Sequence, residues 1–487
     1  MAQKYYIGFD LGTSGLRGLL VSDDGTAVAS HQVAYTSDHP DRGYSEQDPA
    51  HWVSACQTIA RHLRDAAPDA WARLAGVGVS GHMHGAVLLD DAGQVIRPCI
   101  LWNDTRSHAQ AAVLDATDQV RALSGNIVFP GFTAPKLLWV AENEPAHFAK
   151  IAKVVLPAAY LNYWLTGDYV ADMSDSAGTS WLDVGARDWS DTLLAAGGMR
   201  ADQMPRLVEG SQMAGHLRGD LAADWGVDAM VVVAGGAGDN AAAACGAGIL
   251  KEGQGFISLG TSGVLLAARD SYAPDADTAL HTFCHAVPDR WYQMGVILAA
   301  TDCLNWLAGV TGQTPAALTA ALGDTLQAPS ALKFMPYLSG ERTPHNDSQI
   351  RGSFIGLDVT TTTADMTRAV LEGVSFALRD SYEALKSTGV TLTQVLALGG
   401  GTKSRLWVNM LATVLNLPLI MPQDGDFGAA LGAAHLARCA VTGDDPADVM
   451  ITPATAEVIM PNTDLVAAFD THYATYRRLY PAIKDLL

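Results

Sequence analysis

The pentapeptide LGTSG spans Leu11–Gly15 and occurs again at Leu259–Gly263, about half the chain away. Each copy follows a short apolar run, YYIGFD (Tyr5–Asp10) in the first half and GFIS (Gly255–Ser258) in the second. Each is followed by another apolar stretch, so each reads as the turn of a β-hairpin. Glycines let the backbone bend tightly and approach a ligand closely. Successive free N–H groups there form an anion-binding concavity, and Thr and Ser hydroxyls add donors. One GTSG alone reads first as an ordinary hairpin turn. Two in matching positions predict a polyphosphate gripped from both sides of a cleft, by Thr13 and Ser14 in one half and Gly260, Thr261 and Ser262 in the other.

The rest of the chain repeats this order. DPAHWVSACQTIARHL (Asp48–Leu63) predicts a helix capped by Asp48, started by Pro49, with Trp52, Cys56, Ile59 and Leu63 on one face. LAGVGVSGHMHG (Leu74–Gly85) reads as a strand entering a polar turn, and QVIRPCILWND (Gln94–Asp104) as another strand. PAHFAKIAKVVLPAAYLNYWLTG (Pro145–Gly167) reads as two helical stretches broken at Pro157. AMVVVAGGAGDN (Ala229–Asn240) reads as a buried strand ending in a glycine turn. After the second LGTSG come a strand and helix (Tyr292–Val310), then a long amphipathic helix closed by Gly389. A strand, glycine turn, helix and strand follow over Val395–Pro422, and GDFGAALGAAHLARC (Gly425–Cys439) predicts a last helix dense in small residues. This pattern predicts an α/β fold of two packed, hinged domains, 1–248 and 249–487.

Bulk properties agree. A chain of 487 residues exceeds what one core normally serves. It is 49% hydrophobic and 17% charged, which suits a well-packed protein and argues against disorder. A formal net charge of −20 repels nucleic acid and anionic membranes, so neither is expected as a partner. None of the six cysteines forms a C-x-x-C pair, and reduced core thiols are expected rather than disulfides or a metal site. The opening MAQKYYIGFD carries no long apolar run, no signal peptide is expected, and the cytoplasm is the expected compartment. No apolar stretch is long and unbroken enough to span a membrane.

Three clusters carry candidate chemistry. Asp10 ends a strand just before the first phosphate turn. A carboxylate there repels phosphate unless a cation lies between them, and Mg²⁺ is the hard ion that pairs the two. Asp239, in GGAGDN, ends a strand at a cleft and could accept a hydroxyl proton, or could serve only its own turn. HMHG (His82–Gly85) and LWND (Leu101–Asp104) offer a polar lining suited to a neutral sugar. A tryptophan face suits sugar C–H groups, and Asn and Asp suit hydroxyls. LGGGTKS (Leu398–Ser404) lacks G-x-G-x-x-G and opens no βαβ unit, which argues against NAD.

On these motifs the chain resembles the FGGY carbohydrate kinases, whose actin-like ATPase fold duplicates a ribonuclease-H-like domain. GFTAPKLLWVAEN (Gly131–Asn143) and GSFIGLDVTTTTADMTRAVLEG (Gly352–Gly373) match its two patterns. GHMHGAVLLD, SEQDP, ILWNDTR, DMSDSAGT and YLSGERTPHN are similar to members acting on ketopentoses. The resemblance implies ATP and Mg²⁺ as cofactors and phosphorylation of D-xylulose at its terminal hydroxyl. It implies Asp239 as general base, Asp10 at the metal, and Arg17 beside Thr13 and Ser14 at the transferred phosphate. It implies Met83, His84, Trp102, Asn103, Asp104, Asp239 and Asn240 around the sugar, and Gly400, Gly401 and Lys403 under adenosine. Two departures stand out: His82 where Gln is usual, a shorter side chain that can be charged, and Ala237, which lengthens the usual GGGDN turn. Ribulose or another polyol as substrate, and an actin-like nucleotide switch without a sugar, are the alternatives. A homodimer is one alternative for the oligomeric state. GERTPH (Gly340–His345) receives no role beyond a structural salt bridge.

Overall fold

The computed structural model describes residues 3–423 and 428–486. Two seven-stranded mixed sheets organise it. In the first, Tyr5–Leu11 pairs antiparallel with Gly15–Ser22, which pairs with Ala27–Ala34. On its other side Tyr5–Leu11 lies parallel to Leu74–Gly81, followed by Val232–Ala234 and Met213–His216. In the second, Gly255–Leu259 pairs antiparallel with Gly263–Arg269, then Trp291–Ile297 and His281–Cys284. Its other side is parallel to Val395–Leu398, followed by Leu419–Pro422 and Thr455–Ile459. The two sheets therefore repeat one order around each LGTSG hairpin, the duplicated ribonuclease-H-like arrangement.

Local chemistry starts the elements where expected. Pro49–Ala66 is a helix whose Asp48 carboxylate accepts the Ala50 N–H at 2.9 Å. Its Trp52, Cys56, Ile59 and Leu63 are buried. Thr363–Ser387 opens on a reciprocal pair: Thr362 accepts the Asp365 N–H, and the Asp365 carboxylate accepts the Thr362 N–H. Gly389, just beyond its end, has φ of 88°.

Two expectations are corrected. Gln94–Asp104 is mostly irregular, with a strand only at Cys99–Ile100. Pro145–Gly167 is not two helices. Pro145–Phe148 is one helical turn, Lys153–Val155 is a strand, and the second helix runs Pro157–Thr166. The β-branched Val154 and Val155 pack inside and pair with Val87–Leu89, so tertiary pairing overrides the helical reading.

The helix expected over Gly425–Cys439 runs Gly428–Thr442, and Gly425, Asp426 and Phe427 lie outside the described residues. This helix crosses to the first half. It packs on Tyr5–Leu11 and Leu74–Gly81 and against Asp239–Gly246. The approach is backbone to backbone. A Cβ at Gly8 would lie 1.8 Å from the Ala430 carbonyl oxygen, and one at Gly78 2.0 Å from that of Ala433. All six cysteines are free and buried. Among the described residues no helix is long and apolar enough to cross a membrane.

Candidate active site

The sheet register brings the two key carboxylates together. Asp10 lies opposite Ser80, and Ser80 opposite Ala237. Ala237–Gly238 form a two-residue strand, and the helix Asp239–Gly246 begins at once. The lengthened turn thus adds a rung to the sheet. Gly236 takes φ of 84°, and a Cβ there would lie 2.2 Å from the Val79 carbonyl oxygen, so the turn requires glycine. Burial, and then the Asp239 charge, push the Asp10 carboxyl up to about 6, while a 3.5 Å hydrogen bond from Ser80 and the Arg17 charge pull it down. Burial also raises Asp239, against hydrogen bonds from the Asn240 backbone (2.7 Å) and its side-chain amide (2.9 Å). Asn240 therefore orients Asp239.

The two phosphate turns are braced differently. In the first, Gly12 N–H donates to the Gly15 carbonyl at 2.9 Å. Tyr35 donates to the Gly12 carbonyl at 2.8 Å and Gln47 to that of Thr13 at 2.6 Å. In the second, the Gly260 and Thr261 carbonyls accept the Thr301 and Ala300 N–H groups at 3.0 and 2.7 Å. These bonds leave Ser14 and Thr261 exposed at the tips. Strand residues of both hairpins line a cavity of about 240 Å³, Asp10 and Arg17 from the first and Ser258 and Val264 from the second, with Asn240. A larger cavity of about 610 Å³, roomy enough for a nucleoside, is lined by Gly400, Gly401, Lys403, Thr301 and Asn305. Gly399 and Gly401 lie against Leu259, so this cavity adjoins the second phosphate turn.

The expected sugar residues separate. Met83 is buried against Gly238, and Tyr292 donates to its sulfur at 3.7 Å. His84, half-buried at φ of 70°, stacks on Phe132 with centroids 4.4 Å apart. Its Nδ1 is 2.7 Å from the Gly178 carbonyl oxygen. A carbonyl only accepts, so Nδ1 carries the proton and Nε2 keeps a lone pair. Burial, joined by the charges of Lys136 and Arg342, holds His84 neutral with its pKa down to about 3. Trp102 is 41% exposed, and its indole N–H donates to the Thr13 hydroxyl at 2.9 Å, so it joins the sugar side to the first phosphate turn. Asn103 is exposed. Asp104 is fully buried, and both its oxygens are engaged by Arg106 and the Ser45 N–H. Its geometry is that of a loop brace, not of a sugar ligand. His82 lies buried edge-on to Trp52, and burial lowers its pKa to about 3, so this departure adds no charge.

Other residues went unread. Lys136 is fully buried, and its ammonium donates to the carbonyls of Gly131 (2.7 Å) and His84 (2.8 Å), holding the left-handed turn at His84. A lone lysine in the apolar run GFTAPKLLW was the available signal. Ser174 accepts the Gly238 N–H at 3.1 Å and so steadies the residue before Asp239. Asp172 accepts the Ser174 and Asp175 N–H groups. In GERTPH, Glu341 accepts the Leu298 N–H at 3.0 Å and Arg342 reaches His281. The spacing of polar residues in a loop carries no hint of such long-range partners.

The family models decide the identity. The N-terminal domain of the FGGY family of carbohydrate kinases matches residues 5–246, and its C-terminal domain matches 255–441. The chain belongs to the FGGY family of carbohydrate kinases. It is 42% identical to the xylulose kinase of Escherichia coli K12 over 485 residues, covering 99% of this chain and 100% of that one. It is 43% identical to the xylulose kinase of Klebsiella pneumoniae over the same length and coverage. The solved structure of a xyloylose kinase from Brucella ovis superposes with a TM-score of 0.98 at 54% identity, covering 99% and 100% of the two chains. In this FGGY kinase Asp10 and Asp239 feel each other's charge beside the first turn, and the larger cavity adjoins the second.

Proposed function

We propose that this FGGY kinase transfers the γ-phosphate of ATP to the terminal hydroxyl of D-xylulose, giving D-xylulose 5-phosphate for pentose catabolism in the cytoplasm. The observation that supports it best is the row Asp10–Ser80–Ala237, which brings Asp239 within range of the Asp10 charge just after Gly238, the residue packed on Met83. The similarity to xylulose kinases supports the sugar. ATP lies with its nucleoside in the larger cavity and its phosphates between the turns, met by Thr13, Ser14 and Arg17 on one side and Gly260, Thr261 and Ser262 on the other. Gly400, Gly401 and Lys403 line the nucleoside. The two lobes divide at 248/249, with the helix Gly428–Thr442 returning to the first.

The donor set fits Mg²⁺. Asp10 and Asp239 are neighbouring carboxylates whose repulsion a cation relieves. The described residues hold no cluster of three or more metal-ligating side chains. That matches an ion held by one or two carboxylates, with water and phosphate completing its shell. When bound, Mg²⁺ neutralises charge on the β- and γ-phosphates. Asp239 accepts the proton from the sugar hydroxyl, Asn240 keeps its carboxylate aimed, and His84 Nε2 accepts a hydrogen bond from a further hydroxyl.

Two measurements test the reading. An ADP-release assay over pentuloses, hexuloses and polyols should give D-xylulose the highest kcat/KM, because a hydroxyl left unpaired by the wrong epimer is strongly rejected. If D-ribulose or glycerol is clearly preferred, the sugar is wrong, and ADP release that ignores sugar points to a nucleotide switch. The pH profile is the second. The carboxylates work ionised, and burial raises both, Asp10 to about 6. Activity should therefore fall as pH drops through about 6, not through about 4. Raising Mg²⁺ should move this acid limb to lower pH, since a cation favours the charged form. A limb that ignores Mg²⁺ removes the ion from the carboxylate pair.

A further inference from the structure

GERTPH sends one side chain toward the sugar wall from the opposite half of the molecule. Arg342 is half-buried, with its guanidinium 4.7 Å over the Phe129 ring. Phe129 packs on Phe132, and Phe132 stacks on His84. His281 touches the same block, 5.2 Å from Phe129 and 5.8 Å from Phe132, and stacks on Phe283. Arg342 and His84 therefore border one aromatic block from two different lobes. Arg342 has no carboxylate within ion-pair distance among the described residues. Among the same residues, its one side-chain hydrogen bond joins Nη1 to His281 Nε2 at 3.2 Å. A guanidinium only donates, so His281 Nε2 accepts and Nδ1 carries the proton. That Nδ1 is buried without a partner. The guanidinium thus carries N–H donors beyond the one that meets His281, available to an acceptor that reaches the aromatic block.

The order of groups along the wall sets what that ligand atom is. Met83 adjoins Gly238, next to Asp239, then comes His84, then Phe132, then His281 and Arg342. A sugar whose terminal hydroxyl meets Asp239 points its other end at Arg342. In a ketopentose that end carries the C2 carbonyl, which accepts hydrogen bonds and cannot donate. His84 Nε2 is an acceptor and cannot serve a carbonyl. We infer that Arg342 is a specificity-determining residue that donates to the ketone oxygen, oriented by His281, so that the second lobe reads the carbonyl while the first presents the base. This rests on the proposed ketopentose kinase activity and deepens it.

The test compares D-xylulose with xylitol and D-arabinitol, the two alcohols made by reducing its carbonyl. Arg342→Gln should lower kcat/KM for the ketose by about 10–100-fold, the worth of a hydrogen bond to a charged donor, and for the alcohols by about threefold or less. The ketose-to-alcohol preference should collapse, with the KM for ATP nearly unchanged. His281→Phe keeps the ring stack, removes the acceptor that aims Arg342, and should shift the ratio in the same direction by less. Equal losses on ketose and alcohol, or a raised KM for ATP with the ratio intact, overturn the inference. Should Arg342→Gln not fold, an unchanged ratio in His281→Phe overturns it. If the wild type prefers another ketose, the sugar assignment fails, and the same comparison on that ketose and its alcohols still tests Arg342. A wild type preferring substrates without a carbonyl overturns both.

Discussion

Asp239→Asn should lower kcat by about 10²–10⁴-fold, or about 3–5 kcal/mol of barrier, with sugar and ATP still bound. The substitution keeps the shape. Its oxygen can still accept from the Asn240 backbone and side-chain amides. What it loses is the capacity to take the hydroxyl proton. The fall can lie at the lower end, because positioning and charge neutralisation supply most of phosphoryl-transfer catalysis. Asp10→Asn should differ: use of Mg²⁺–ATP weakens, and extra Mg²⁺ partly restores it. The measurements are kcat, dissociation constants from calorimetry, and circular dichroism to show both variants folded. A folded Asp239→Asn with near-normal kcat would remove Asp239 as the base and make His84 the next residue to test.

Gly432→Ala should be among the most damaging small substitutions to the fold. A Cβ at Gly432 would lie 1.8 Å from the Ala242 carbonyl oxygen and 2.9 Å from the Gly246 nitrogen. These atoms are backbone of the helix Asp239–Gly246, so no side chain can swing away. The helices must part, and that movement reaches Asp239 at the head of one of them. Overpacking costs about 1–3 kcal/mol or more. The variant should express poorly, melt well below the wild type, and lose kcat in whatever remains soluble. Gly309→Ala is the control. It lies exposed in the helix Thr301–Thr311, nothing would meet its Cβ within 4 Å, and alanine should stabilise by about 0.5–1 kcal/mol. Equal melting of Gly432→Ala and wild type would show that the helices have room to spare.

Much of this was legible because it is local. The repeated LGTSG marked both hairpins, since a tight turn between apolar runs needs no distant partner. Asp48, Pro49 and the spacing of Trp52, Cys56, Ile59 and Leu63 gave a helix because capping and periodicity are properties of neighbours along the chain. Lys153–Val155 was misread because a short apolar run takes its state from the strand it meets. The site divides in the same way. Asp10 and Asp239 could be picked out at strand ends. Asp104 in LWND was expected around the sugar, but Arg106 and Ser45 take up both its oxygens.

By itself, the sequence determined the duplicated hairpins and the family, and it nominated Asp10 and Asp239, for these reside in residue order and short spacing. Only the tertiary structure decided that Asp10 and Asp239 feel each other's charge, because sheet register, not sequence distance, brings them close. It alone gave His84 its lone pair at Nε2, through a carbonyl 94 residues away. It alone carried Gly428–Thr442 back onto the first sheet, where glycines let backbones touch. Hydrogen bonds and close packing act over a few ångströms of space, and the chain meets itself there only once it has folded.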